Sequence, residues 1–250
     1  MTGSAELPWS GCVNARDIGG LATGSGRVTR RDVLIRAESL HHLDADGVRA
    51  VRAHGVDRII DLRSDWELDD TPHPFAGTDL YLRVPWIDDE RDAERDADAE
   101  RTLADMYRGS LDRNTRRIAA VVSAVDEAPG GPVVVHCMSG KDRTGMLVAL
   151  LLDLVGVPRE RIAADYALSE KRLALRDPAG RPSPTQPEVR VAPDLMSRTL
   201  PQTILDALAH LDRRHGGVRA YLIDCGVASS ALDRLTARLV VAATRKQRAH

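Results

Sequence analysis

One segment of the sequence combines the residue types that phosphate chemistry requires. Residues 133–145 read VVVHCMSGKDRTG, in which five residues separate Cys137 from Arg143. A loop of this kind that closes onto a helix N-terminus points several backbone N–H groups into one concavity, which binds an anion. Arg143 adds a planar guanidinium that can bind two phosphoryl oxygens at once. The predicted phosphate-binding residues are Met138, Ser139, Gly140, Lys141, Asp142 and Arg143.

A cysteine at the base of such a loop lies in the same positive field as the phosphate. The thiolate of Cys137 is therefore favoured over the thiol, and we expect it to be a nucleophile at neutral pH. Thr144 can donate its hydroxyl group to the sulfur when the sulfur leaves a phosphocysteine intermediate. We expect His136 to hold the loop through hydrogen bonds rather than to act as a base. Asp61 either caps a turn at a strand end or supports the loop.

Apolar runs and amphipathic segments indicate strands that alternate with helices. We predict buried strands at 56–62, 81–86 and 133–135. One amphipathic helix is predicted over 103–125, and a helix that is apolar nearly all round, and therefore buried, over 144–155. This alternation predicts an α/β fold, with a central, mostly parallel sheet covered by helices on both faces.

The sequence after Pro158 has a helical pattern that is interrupted once. Helices are predicted at 159–175, 202–210, 218–224 and 232–243. Six prolines exclude regular structure over 177–201, and so long a loop is either disordered or functional, for instance as a lid. We therefore predict a single domain over 1–250, with a Pro-rich loop or lid at 177–201 and C-terminal helices within 202–250.

Composition excludes several classes of protein. The 250 residues include 35 basic and 37 acidic side chains, so the chain lacks the basic surface that nucleic acid binding needs. Cys12, Cys137 and Cys225 lie far apart, which predicts neither a disulfide framework nor a metal site, and we expect no cofactor. The sequence shows neither a secretory signal nor about 20 consecutive apolar residues. It therefore predicts a cytoplasmic protein without stable membrane insertion, although non-classical export stays open.

The loop and several distant segments resemble one family. Residues 136–145 resemble the H-C-x-x-G-K-D-R-T-G signature of the cysteine-dependent phosphatases, in particular the bacterial tyrosine and lipid phosphatases, a group with mycobacterial members. The other similar segments are N-x-R-D-L-G-G at 14–20, R-x-x-x-L at 36–40, D-L-R-S at 61–64, D-Y-x-x-S at 165–169, and Gly-Gly-Val with Tyr-Leu within 216–222. The resemblance implies the phosphatase α/β fold with additional C-terminal helices, and a phosphomonoesterase that uses no metal.

The resemblance also implies roles for individual residues. Cys137 attacks phosphorus, Arg143 stabilises the transition state, and the loop residue Asp142 protonates the leaving oxygen. A bound phosphate would favour the protonated form of Asp142 that an acid needs. Most eukaryotic tyrosine phosphatases place the acid on a separate loop behind a Trp/Pro pair, which residues 85–88 match only loosely, so we favour Asp142 over Asp88. In the resembled group, a lysine at the position of Lys141 accompanies activity on phosphoinositides.

Two questions stay open at this point. Asn14, Arg16 and Asp17 form either a turn or a network that supports the active site. The substrate is phosphotyrosine, with phosphoserine, phosphothreonine, phosphoinositides or a phosphorylated small metabolite as further candidates.

An inactive phosphate-binding adaptor is disfavoured because nucleophile, arginine and candidate acid are all present. A rhodanese-like sulfur carrier and an arsenate reductase are disfavoured by the five-residue interval and by the position of the loop in mid-chain.

Overall fold

The computed structural model describes residues 4–68, 73–175 and 200–243, which contain two sheets. The strands are β1 Ala5–Glu6, β2 Arg16–Asp17, β3 Arg27–Thr29, β4 Leu34–Ala37, β5 Arg58–Asp61, β6 Tyr81–Arg83, β7 Val133–His136 and β8 Val240–Ala242. Six of them form the central sheet in the order β1-β2-β4-β7-β5-β6, and β3 pairs with β8 in a second sheet. In the central sheet β4, β7, β5 and β6 are parallel, whereas β1 and β2 are antiparallel additions. The predicted mixed α/β fold with a mostly parallel sheet is confirmed.

Strand β7 lies in the middle of the central sheet, between β4 and β5. Its residues are all buried. Val133 and Val135 pack into the larger hydrophobic core on one face, and Val134 packs into a smaller core on the other, because successive side chains of a strand alternate between faces. Consecutive β-branched residues suit a strand that is covered on both sides.

Helices cover both faces of the sheet. They are α1 Ala45–Ala53, α2 Asp89–Asp92, α3 Leu103–Arg113, α4 Thr115–Asp126, α5 Asp142–Leu154, α6 Arg159–Leu173, α7 Pro201–His215, α8 Val218–Asp224 and α9 Ser229–Leu239. Helices α3 to α9 contribute to the larger core, whereas α1 contributes to the smaller one. Helix α5 is buried over nearly its whole length, as its apolar sequence predicts.

Two of the predicted helices are partly wrong. The single helix expected over 103–125 is two helices, because Asn114 has a ψ of 23° and its side-chain amide donates to the carbonyl oxygen of Ser110 at 2.9 Å. The helix expected over 232–243 ends at Leu239. Its last residues form β8, in which Val240 pairs with Thr29, and the two successive valines favour a strand.

Some predicted features lie outside the described residues. They include nearly all of the loop expected at 177–201 and the chain after residue 243. The predicted C-terminal helices are present as α7, α8 and α9. None of the helices in the described parts of the chain combines the length and hydropathy that crossing a bilayer requires.

Candidate active site

The loop predicted to bind phosphate lies at the carboxyl edge of the parallel strands. It follows β7, between the ends of β4 and β5, and ligands bind α/β sheets at this edge. Helix α5 begins at Asp142, so the positive end of its dipole lies at the loop. The fold therefore provides the field that the sequence analysis expected around Cys137.

The carbonyl oxygens of this loop point away from its interior. Three donors hold them from outside: Ser39 N–H donates to Met138 O at 2.8 Å, Asn14 Nδ2 to Ser139 O at 3.0 Å, and Arg36 Nη2 to Gly140 O at 2.7 Å. In a trans peptide the C=O and the following N–H point in opposite directions. The N–H groups of Ser139, Gly140 and Lys141 are therefore directed into the loop, where they form an anion-binding concavity.

Gly140 allows the loop to pass close to strand β4. Its φ is +66°, a region that favours glycine. A Cβ atom at this position would lie 2.3 Å from the carbonyl oxygen of Ala37, and backbone atoms of Glu38 are also close. Because this neighbour is backbone, no side chain can move aside to make room, and the loop requires glycine here.

Cys137 and Arg143 lie at the two ends of the loop. Cys137 is 1% exposed, and the Arg143 side chain is 13% exposed. Burial alone would lower the pKa of Arg143, but its hydrogen bonds to Glu67 and the charge of the Cys137 thiolate raise this pKa above its ordinary value. Phosphoryl transfer needs an arginine close to the nucleophile, and both residues belong to this loop.

Glu67 orients Arg143 and was not predicted from the sequence. Arg143 Nη2 donates to Glu67 Oε1 at 2.6 Å, and Nη1 donates to Oε2. This pairing uses two of the five N–H donors of the guanidinium, and the edge that carries Nε–H and one terminal N–H can bind a phosphate. Glu67 Oε2 also accepts from the backbone N–H of Ser64 at 2.8 Å. The spacing S-x-x-E at 64–67 signals the start of a helical turn, but it does not show that Glu67 meets Arg143.

Asp61 lies at the end of β5, beside the residue that precedes the nucleophile. Its carboxylate accepts hydrogen bonds from the backbone and guanidinium of Arg63 and from Tyr81 Oη. His136 Nδ1 lies 3.7 Å from Asp61 Oδ1 and 3.1 Å from the carbonyl oxygen of Cys137. Burial alone would raise the pKa of Asp61, but His136 and Arg63 hold it below its ordinary range. Asp61 thus connects β5 to the start of the loop.

His73, which the sequence analysis assigned no role, stacks on His136. Their ring centroids are 5.1 Å apart, and burial lowers the pKa of His73 to about 3. One ligand atom from each of Asp61, His73 and His136 lies within 4.8 Å of the others, which is the spacing of metal ligands. Since Arg63 and Tyr81 already donate to both oxygens of Asp61, we interpret the cluster as a support of the loop and not as a cation site.

Two buried arginines share one buried carboxylate behind the loop. Arg16 Nε donates to Asp165 Oδ1 at 2.9 Å, and Arg36 Nη1 donates to Asp165 Oδ2 at 2.7 Å. Burial alone would raise the pKa of Asp165, but the two guanidinium groups hold it well below its usual range. Arg36 also binds the loop at Gly140. Two positive charges and one negative charge leave this cluster net positive, which favours an anion in the loop.

Residues 14–17 contribute both to a turn and to the network that supports the active site, the two alternatives considered from the sequence. Asn14 binds the loop through Ser139, and its Oδ1 accepts from Arg16 Nη1 at 2.5 Å, so these two residues belong to the supporting network. Asp17 instead accepts from the N–H of Gly19 at 2.9 Å, which is turn chemistry.

Asp142 lies in the loop, whereas Asp88 contacts Arg91, Asn114 and Arg117. Asp142 Oδ1 accepts a hydrogen bond from Tyr107 Oη at 2.6 Å, and Lys141 Nζ lies 3.6 Å from the same oxygen. Asp88 is the N-cap residue of α2 and accepts from the N–H of Arg91 at 3.5 Å. The choice of Asp142 as the general acid stays a prediction.

Thr144 is fully buried next to the loop. Its Oγ1 has no hydrogen-bond partner within the part of the chain that the structure describes. Donation from Thr144 to the sulfur of Cys137 stays a prediction.

Comparison with known proteins agrees with this geometry. Residues 7–241 match the family model described as tyrosine phosphatase family. The chain belongs to this family. It is similar to the triple specificity protein phosphatase PtpB of Mycobacterium tuberculosis, with 28% identity over a gapped alignment of 274 positions that covers 92% of this chain and 96% of that protein. A tyrosine-protein phosphatase of Nostoc commune is 29% identical over an alignment of 223 positions, which covers 83% of this chain and 74% of that protein.

A solved structure is also similar at a greater distance. The crystal structure of Pseudomonas aeruginosa TpbA in complex with phosphotyrosine aligns with a TM-score of 0.42 and 14% identity, over 81% of this chain and 91% of that one. This likeness is too weak to carry an argument. Membership of the family confirms the resemblance found in the sequence, and the chain is a cysteine-dependent phosphatase, that is, a phosphoric monoester hydrolase.

Proposed function

We propose that this phosphatase hydrolyses phosphotyrosine through a phosphocysteine intermediate on Cys137. The thiolate attacks phosphorus and forms an S–P bond while the P–O bond to the leaving group breaks. Asp142 transfers its proton to the leaving oxygen. A water molecule then gives a proton to the Asp142 carboxylate and attacks phosphorus. The S–P bond breaks, inorganic phosphate leaves, and the thiolate is restored.

The loop stabilises the charge that develops during both steps. The inward N–H groups of Ser139, Gly140 and Lys141 and the free donors of Arg143 match the equatorial oxygens of a phosphoryl group. One observation carries this proposal. The carbonyl oxygens of three consecutive loop residues accept hydrogen bonds from donors outside the loop, and the loop begins at the buried Cys137. Such an arrangement binds an oxyanion directly above the nucleophile.

The substrate class follows from the relatives and from one lysine. Both curated relatives are named as phosphatases, one of tyrosine phosphate and one of triple specificity, which supports phosphotyrosine as the first substrate. Lys141 is 5% exposed and lies beside Asp142, where its charge adds to the anion site. We therefore include phosphoserine, phosphothreonine and phosphoinositides as secondary substrates, and we propose from the sequence that the enzyme acts in the cytoplasm.

Replacement of the nucleophile tests the mechanism. Cys137→Ser should abolish turnover of p-nitrophenyl phosphate while binding of vanadate or phosphate is retained, because the loop N–H groups and Arg143 are unchanged. Cys225→Ser is the matched control, since this cysteine lies in the turn after α8, and it should retain turnover. Undiminished turnover in Cys137→Ser would refute the mechanism. Comparison of kcat/KM across phosphorylated peptides and phosphoinositides then tests the substrate class.

A further inference from the structure

A chain of hydroxyl groups ends on the candidate general acid. Tyr166 Oη lies 2.7 Å from Tyr107 Oη, which donates to Asp142 Oδ1 at 2.6 Å. Tyr107 on α3 is 2% exposed and Tyr166 on α6 is 1% exposed, whereas the Asp142 side chain is 35% exposed. A phenol donates one proton. Since Tyr107 gives its proton to the carboxylate, Tyr166 must donate to Tyr107, and both hydroxyl groups point their protons towards Asp142.

Both phenols keep their protons at physiological pH. Burial and the neighbouring charge of Asp142 raise the pKa of Tyr107 well above its ordinary value, and burial raises that of Tyr166 in the same direction. The two tyrosines are therefore fixed donors and cannot supply the proton of the reaction themselves. Their effect on catalysis must act through Asp142.

The two oxygens of the Asp142 carboxyl group differ in their contacts. In the described residues, the polar contacts of this group, from Tyr107 and from Lys141 Nζ at 3.6 Å, fall on Oδ1. The transferable proton is then carried by the other oxygen, Oδ2. We propose that Tyr107 is a positioning residue, which holds Asp142 so that Oδ2 faces the leaving oxygen. This inference rests on the proposed function, in which Asp142 is the acid.

The proposal predicts a loss of activity that depends on the leaving group. Phenolate is a poor leaving group and needs a proton, whereas p-nitrophenolate leaves without one. For Tyr107→Phe we expect kcat/KM to fall about 10–100-fold with phenyl phosphate, since misplacing a catalytic group costs up to about 10²-fold. With p-nitrophenyl phosphate the fall should be about threefold or less, because general-acid assistance contributes little to that reaction.

Tyr221→Phe is a matched control. Tyr221 is also a fully buried tyrosine, and its hydroxyl group donates to the carbonyl oxygen of Leu111 at 2.7 Å, on the same helix α3. Its removal should lower thermal stability without changing the ratio of kcat/KM between the two substrates. If Tyr107→Phe is unfolded by circular dichroism, Tyr166→Phe takes its place, and a smaller loss confined to phenyl phosphate is expected.

Two results would overturn the positioning role. One is an equal loss with both substrates in the folded variant. The other is a double variant, Tyr107→Phe with Asp142→Asn, whose loss of kcat/KM equals the product of the two single losses. If Tyr107 acts through Asp142, its loss should largely disappear once Asp142 has been replaced. Cys137→Ser separates this failure from failure of the mechanism itself. If that variant keeps turnover, the proposed function is wrong, whereas an inactive Cys137→Ser with an unselective Tyr107→Phe removes only the role of Tyr107.

Discussion

The variant Asp165→Asn should show how much the buried charges behind the loop contribute to the stability of the protein. The change removes the carboxylate that Arg16 and Arg36 share, and the side chains of all three are at most 3% exposed. Removing one partner of a buried ion pair leaves an uncompensated charge and costs about 3–5 kcal/mol. In a chain of this length each kcal/mol lowers the Tm by about 2–4 °C, so we expect a fall of about 6–20 °C.

Acid should reduce this difference. The pKa of Asp165 is held below its ordinary value of 3.8, so the unfolded chain binds this proton more readily than the folded one. The stability that Asp165 contributes is therefore fully present above about pH 4 and is lost as the pH falls further. Asp165→Asn lacks this contribution, and its free energy of unfolding should approach that of the wild type in acid.

Guanidinium unfolding followed by circular dichroism at pH 7 and at acid pH measures both effects, provided that the m-value is unchanged. Asp233→Asn is the control, because its ion pair with Arg219 is exposed, with side-chain exposures of 68% and 44%. Such a pair contributes about 1 kcal/mol or less. If Asp165→Asn destabilises the protein no more than Asp233→Asn does, our account of the buried charges is wrong.

Two further predictions concern the neighbours of the loop. Glu67→Gln should lower kcat about 10–100-fold, because Arg143 loses the partner that orients it. Inhibition by inorganic phosphate should not weaken, because the change removes a negative charge near the phosphate site. An unchanged kcat would contradict the role of Glu67. His73→Phe should flatten the dependence of unfolding free energy on pH between about 6.5 and about 3. In the wild type the lowered pKa of His73 means that the unfolded chain binds more protons, so stability falls as the pH falls, by at most about 1.4 kcal/mol per pH unit. Equal slopes in equilibrium unfolding of the two proteins would refute the assignment.

The centre of the site could be predicted because its residues are contiguous. Nucleophile, arginine and candidate acid lie within seven residues, and the strand before them and the helix after them have clear apolar patterns. The geometry of the loop then follows from a strand end and a helix start. No contact between distant parts of the chain is needed to recognise it.

The residues that orient this centre could not be found in the same way. Glu67 and Tyr107 approach from a 3-10 turn and from α3, and their contacts depend on tertiary packing that no periodicity encodes. Asp165 was noted only as part of a similar motif, and nothing in its spacing shows that Arg16 and Arg36 bind it. Pairing of this kind requires knowledge of which elements become neighbours.

Short elements limited the prediction of the fold. The sequence analysis did not predict β1 to β4 or α1. Strands β1 and β2 have two residues each, too few to show an alternation, and β4 has four residues that are all buried. Their place in the sheet is set by pairing with β7 and with one another. Similarly, the break at Asn114 lies inside a continuous helical pattern, so the apolar spacing carries no sign of it.

The pairing of β3 with β8 has a consequence for synthesis of the protein on the ribosome. Thr29 is translated long before its partner, Val240, so this pair cannot form until residues 240–242 have emerged. The nucleophile and its loop are translated long before that moment. The small sheet is therefore completed only after the loop has been synthesised, and it joins two distant parts of the chain.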